Sequence, residues 1–107
     1  MQPDVFVVPW REEGQPRSWQ DVTPLLLAVE VLSPSTARAD RHRKRLIYQS
    51  QRVPEYWIDN VDARLIERWR PDDLRPEILV DRIVWKPRAD TPPLVIDLDS
   101  LFVDAMR

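Results

Sequence analysis

The run Leu25–Thr36, LLLAVEVLSPST, constrains the fold more than any other stretch. It is the most apolar segment of the chain, and it holds a single carboxylate, Glu30. A Leu- and Val-rich segment closed by Ser-Pro-Ser reads as a strand buried on both faces. A charge inside such a strand costs on the order of several kcal/mol unless a cation, a metal or hydrogen-bond donors pair with it. The rest of the chain has to supply that partner.

The segments around this strand set the architecture. Asp4 precedes a short strand, Val5-Phe6-Val7-Val8, which Pro9 ends. Trp10–Thr23 is polar, punctuated by Gly14 and Pro16, and reads as a long hairpin loop. After the apolar strand, Ser35 or Thr36 can cap a helix running to about Gln51. At 100° per residue, Lys44 shares a face with Ala37, Asp40, Arg41, Ile47, Tyr48 and Gln51. That face is expected on the sheet, with Ala39, His42 and Gln49 on the far side. Strands follow at Glu55–Asp59, with Tyr56 and Ile58 opposite Glu55 and Trp57, and at Ala63–Arg70. Weaker strands are expected at Glu77–Trp85 and Leu94–Asp97, then a helical turn or two after Leu98. The order describes an α/β fold: a mixed β-sheet with one principal helix packed on it.

With 107 residues the chain makes one small domain. A single Gly against eleven Pro means that turns lean on Pro, Asp, Asn and Ser. No cysteine is present, which excludes disulfides and thiolate metal sites. The N-terminus lacks a signal-peptide pattern and no apolar run reaches membrane length, so a cytoplasmic protein with no membrane partner is expected. The net charge is −2, yet Arg38–Arg45 carries five cations against one anion, a local balance of +4. The residues Arg38, Arg41, Arg43 and Arg45 can meet nucleic-acid phosphates, and a solvated helix face explains them as well.

Three residues stand out for chemistry: Asp4 at a strand start, Glu30 in the apolar strand and Lys44 on the inward helix face. Two carboxylates on neighbouring strands can hold Mg²⁺, with Mn²⁺ a possible substitute, and the Val31 carbonyl can add an oxygen. A lysine beside them can stabilise charge on a phosphate under attack. Each also has a plain structural reading. Asp4 can cap a strand, Glu30 and Lys44 can form a structural ion pair, and Lys44 can run its stem over the sheet into water.

Pro3-Asp4, then Val29-Glu30-Val31-Leu32-Ser33-Pro34-Ser35-Thr36, then Asp40, Lys44 and Tyr48, then Val53-Pro54-Glu55-Tyr56-Trp57-Ile58-Asp59 form one pattern. It closely resembles the Uma-two family of restriction-endonuclease-like proteins, within the PD-(D/E)XK nuclease superfamily. The resemblance implies a restriction-endonuclease-like core with catalytic Asp4, Glu30 and Lys44, a metal on Asp4, Glu30 and Val31, and supporting Tyr48 and Glu55. Leu32 stands where that superfamily usually has its lysine, and Lys44 on the next helix matches the displaced position. Arg52 stands where a glycine is common. The family's N-terminal segment of several dozen residues has no counterpart before Asp4, so the fold is expected to be N-terminally truncated, with an open sheet edge near Val5–Val8 that favours homo-oligomers.

The function expected from this resemblance is Mg²⁺-dependent hydrolysis of DNA phosphodiester bonds. The alternatives are a truncated, non-catalytic remnant that binds nucleic acid or protein, and an interaction module presenting exposed Trp residues.

Overall fold

The computed structural model describes residues 3–8, 25–32 and 38–100, with only the backbone of 38–40. The expected loop at 10–23, the helix cap at Ser35 or Thr36 and the chain beyond Ser100 lie outside the described residues.

Among the described residues seven strands and one helix follow in the order β1 Val5–Val7, β2 Leu27–Leu32, α1 Arg38–Ser50, β3 Glu55–Asn60, β4 Leu65–Trp69, β5 Glu77–Leu79, β6 Arg82–Trp85 and β7 Leu94–Asp97. The first five strands form a mixed sheet in chain order, β1-β2-β3-β4-β5. Only β2 and β3 run parallel, because α1 connects them and carries the chain back to the starting end of the sheet. The fold is therefore the expected α/β sheet with one principal helix.

Alternation along the strands divides the core into two layers. On the helix side, Leu25, Ala28, Tyr56, Ile58 and Trp69 pack with Tyr48 and Val53. On the other side, Leu27, Trp57 and Ile66 pack with Ile83, Trp85 and Leu98. That second layer rests on a separate two-stranded ribbon, β6–β7. The expected single strand Glu77–Trp85 is thus two strands in two sheets. The change of direction falls at Val80-Asp81, where the Asp81 carbonyl already accepts from the Leu98 N–H, one step beyond the Arg82–Asp97 pair of the β6–β7 ladder.

Two further expectations are corrected. The apolar strand is buried on both faces only in its first half; Leu27 and Ala28 are enclosed, but Val31 is 42% exposed and Glu30 half-buried. The strand runs out from beneath the helix toward solvent, so its charge sits at the rim of the core. Among the described residues the Trp side chains supply no exposed recognition surface, since Trp57, Trp69 and Trp85 are all buried; Trp10 and Trp19 lie outside the described residues.

The C-terminus of α1 shows how this glycine-poor chain turns. Arg52 takes a left-handed conformation at φ 59°. The Arg52 N–H donates to the Gln49 carbonyl at 3.0 Å and the Val53 N–H to the Tyr48 carbonyl at 3.1 Å. Together with the packing of Val53 and Tyr48 in one core layer, this is a Schellman motif with arginine where glycine is favoured. Arg52→Gly should raise the melting temperature by roughly 2–5 °C, since it relieves the Cβ conflict. Thermal denaturation at neutral pH checks it; a lower melting temperature would mean that the exposed Arg52–Asp72 pair, 2.8 Å apart, outweighs the backbone.

Candidate active site

Register explains why Asp4 and Glu30 meet. In the β1–β2 ladder Val5 pairs with Val29 and Phe6 with Ala28. Continuing by one residue sets Asp4 opposite Glu30, on the face that carries the helix. The Asp4 carboxylate accepts a hydrogen bond from the Val31 N–H at 2.8 Å, which fixes it against the end of β2. Asp4 also stands close enough for its charge to raise the proton affinity of Glu30.

The helix supplies the cation. Lys44 Nζ lies 3.5 Å from Glu30 Oε2, with both side chains largely sheltered. One turn later Tyr48 is buried, and its hydroxyl has no hydrogen-bond partner. Glu30 Oε1 is likewise buried and unpartnered. Lys44 therefore satisfies one oxygen of Glu30 and leaves the other open. The i, i+4 spacing of Lys44 and Tyr48 places both on one helical stripe over the end of β2.

The electrostatics follow from this enclosure. Burial raises the proton affinity of Glu30 above the ordinary carboxylate range; the Lys44 ammonium opposes the rise and the neighbouring Asp4 carboxylate adds to it. Burial, then the charges of Glu30 and Asp4, push the Tyr48 phenol well above its usual value. Tyr48 thus remains a protonated hydrogen-bond donor at any physiological pH.

Glu55 does not join this cluster. Period-2 alternation turns it to the opposite face, where it accepts from the Trp57 indole at 2.8 Å and pairs with Arg68 at 2.9 Å. Nor do the basic residues act as one set. Arg41 approaches Glu67 at 3.9 Å, and Arg45 lies over the Trp69 ring, 4.1 Å from its centroid. Arg43 is on the exposed side, and the side chain of Arg38 lies outside the described residues. Gln49, expected on the far side of α1, instead donates to the carbonyls of Arg70 and Asp73 and ties the helix to the β4–β5 turn. The helix sits over β3 and β4 as well as β2, so both of its flanks meet the sheet.

Among the described residues no three His, Cys, Asp or Glu side chains gather as a metal-binding group. The oxygen set at this site is two carboxylates. Mg²⁺ uses such sets, because it completes its shell with water, backbone oxygen and substrate phosphate. The open Glu30 Oε1 beside Asp4 fits a hard cation for the same reason. No helix among the described residues is long and apolar enough to cross a membrane.

The sequence profile of the Uma2 family, described as "Putative restriction endonuclease", matches residues 1–99. No curated protein matches the chain. A crystal structure from Anabaena variabilis, described as a putative nuclease belonging to DUF820, has a similar fold, with a TM-score of 0.57 and 19% identity. The similarity covers 74% of this chain and 44% of that one, so the chain spans less than half the length of this relative.

Proposed function

From the premise that the chain belongs to the Uma2 family, whose profile covers nearly its whole length, we propose that it is a metal-dependent endonuclease hydrolysing DNA phosphodiester bonds in the cytoplasm. The observation that carries this reading is the meeting of Asp4, just before β1, with Glu30 of β2 and Lys44 of α1 at the open end of β2. Structural ion pairing alone accounts for Lys44 and one oxygen of Glu30. It does not account for a second carboxylate directed at the same place, or for the unpartnered Oε1.

In this reading Asp4, Glu30 and the Val31 carbonyl hold Mg²⁺, with Mn²⁺ as a substitute. When bound, the metal lowers the pKa of a water and polarises the phosphate. Asp4 is oriented by the Val31 N–H, so its carboxylate is fixed before substrate arrives. Among the described residues the Lys44 ammonium is the charge-bearing donor of the cluster, and it stabilises the negative charge that grows on the phosphoryl oxygens as water attacks. Its contact with Glu30 is long, at 3.5 Å. Tyr48, held protonated, borders the same carboxylates as a neutral group and adds no charge beside them.

The test pairs calorimetric titration of Mg²⁺ and Mn²⁺ with a plasmid-nicking assay. Both metals should bind, and supercoiled plasmid should be nicked only with metal present. Protein that is folded by thermal melt, yet binds neither metal and leaves plasmid intact, would sink the assignment.

A further inference from the structure

A second polar site lies on the same face of the sheet, between the other flank of α1 and β4. Arg41, His42, Arg45, Ile58, Glu67 and Trp69 line a cleft of about 150 Å³. Its chemistry is an excess of donors. The Arg45 guanidinium donates to His42 Nδ1 at 2.9 Å and to Gln49 Oε1 at 3.4 Å. A guanidinium only donates, so Nδ1 is the acceptor and the neutral ring carries its proton on Nε2. Arg41 meets the cleft's one carboxylate, Glu67, at a distant 3.9 Å. Trp69 is 8% exposed, and its buried indole N–H, which can only donate, has no hydrogen-bond partner. Two guanidiniums and an imidazole N–H thus border one cleft against, among the described residues, a single carboxylate. A ligand rich in acceptor oxygens is what such a set lacks.

The register sets the spacing from the first site. Glu30 and Glu67 both pair with Ile58, from opposite sides, so the cleft stands two strands from Glu30. At strand spacing this is roughly 10 Å. Successive phosphates along one DNA strand rise about 3.4 Å along the axis and also wind around it, so the through-space step is roughly twice the rise and one to two steps cover the distance. We propose that this cleft is a subsite for a backbone phosphate of DNA, one to two nucleotides from the bond held at Asp4 and Glu30, with Arg41 and Arg45 as its charged contacts. The proposal rests on the nuclease reading and adds a substrate-positioning function to it. Arg45 is pre-set for this role, since the Trp69 ring and His42 hold its guanidinium plane.

The test measures fluorescence anisotropy of a labelled 20-base-pair duplex in EDTA over a series of salt concentrations. The Arg41→Gln/Arg45→Gln double variant should bind about tenfold more weakly at 100 mM salt, and its log–log salt slope should be smaller by about 0.9 or more. Arg45→Lys, which keeps the charge but not the planar fork, should fall between the two. With Mg²⁺, the double variant should show a raised KM with kcat within about threefold of wild type. If the double variant is unfolded by thermal melt, Arg41→Gln alone carries the same readout, since it leaves the Arg45–Trp69 packing intact. Unchanged affinity and slope in a folded variant overturn the subsite while wild-type cleavage still supports the nuclease reading. A wild-type protein that neither binds nor cleaves the duplex overturns both.

Discussion

Glu30→Gln should abolish metal-dependent nicking, by about 10³-fold or more, and flatten the pH dependence of the metal-free protein's stability. The two effects have one origin. Burial raises the folded-state proton affinity of Glu30. Between its ordinary pKa of 4.5 and the raised folded value, the folded state binds more protons than the unfolded chain. The stabilising contribution is complete below 4.5 and is lost as pH rises through the folded value. Asp59 is raised in the same direction by burial alone, so Asp59→Asn removes the other share of the slope. Metal affinity should run the opposite way and increase with pH over this window, because a cation competes with the proton for the same carboxylate. Thermal melts from pH 4 to 8 without metal, and metal titrations over the same range, separate the two. Lys44→Ala should keep the metal and lose about 10²–10³-fold in cleavage, the usual cost of removing one transition-state charge stabiliser. If Glu30→Gln nicks plasmid at the wild-type rate, the cluster is an ion pair and nothing more.

Arg68→Met is expected to be the most destabilising single change, costing about 3–5 kcal/mol. Arg68 is 5% exposed on the face away from the helix. Its guanidinium pairs with Glu55 at 2.9 Å and Glu77 at 3.2 Å, donates to the Val84 carbonyl, and lies 5.8 Å from the Trp57 ring centroid. It thus connects three strands of the main sheet to the β6–β7 ribbon. Methionine fills much of the volume but leaves Glu55 enclosed with only the Trp57 indole as donor. The melting temperature should drop by more than about 10 °C. Adding Glu55→Gln should return part of the loss, because the unpaired buried charge is the main cost. A shift within about 2 °C would show that the ribbon and sheet are held by Ile83, Trp85 and Leu98 alone.

Some of this was legible in the sequence because short-range periodicity carries it. Alternation in β3 correctly separated Tyr56 and Ile58 from Trp57, and helical angles correctly turned Lys44 and Tyr48 toward the sheet. Other features depend on which strand lies under which flank of the helix, and periodicity does not contain that. Arg45 and Gln49 sit 60° and 100° from Tyr48, so they point inward only because α1 also covers β4. The same angular arithmetic, taken 60° further round from Tyr48, would have brought Arg45 into the inward group. Arg68 looked like one more charged residue in a half-polar strand. Its burial follows from the ribbon, and the ribbon was hidden because Glu77–Trp85 has no Gly or Pro to mark the change of sheet. Glu55 was grouped with the site by family pattern, although its parity already assigned it to the other face.

The three-residue β1 carries a consequence for quality control. Only three ladder pairs set its register, and with the Val31 N–H bond beyond them they bring Asp4 to Glu30. A slip of one residue would turn Asp4 to the ribbon side and put Val5 beside Glu30. Strand alignment and assembly of the carboxylate pair are therefore the same event. A chain that folds with β1 misaligned is left with one acidic residue at the site and loses the carboxylate pair.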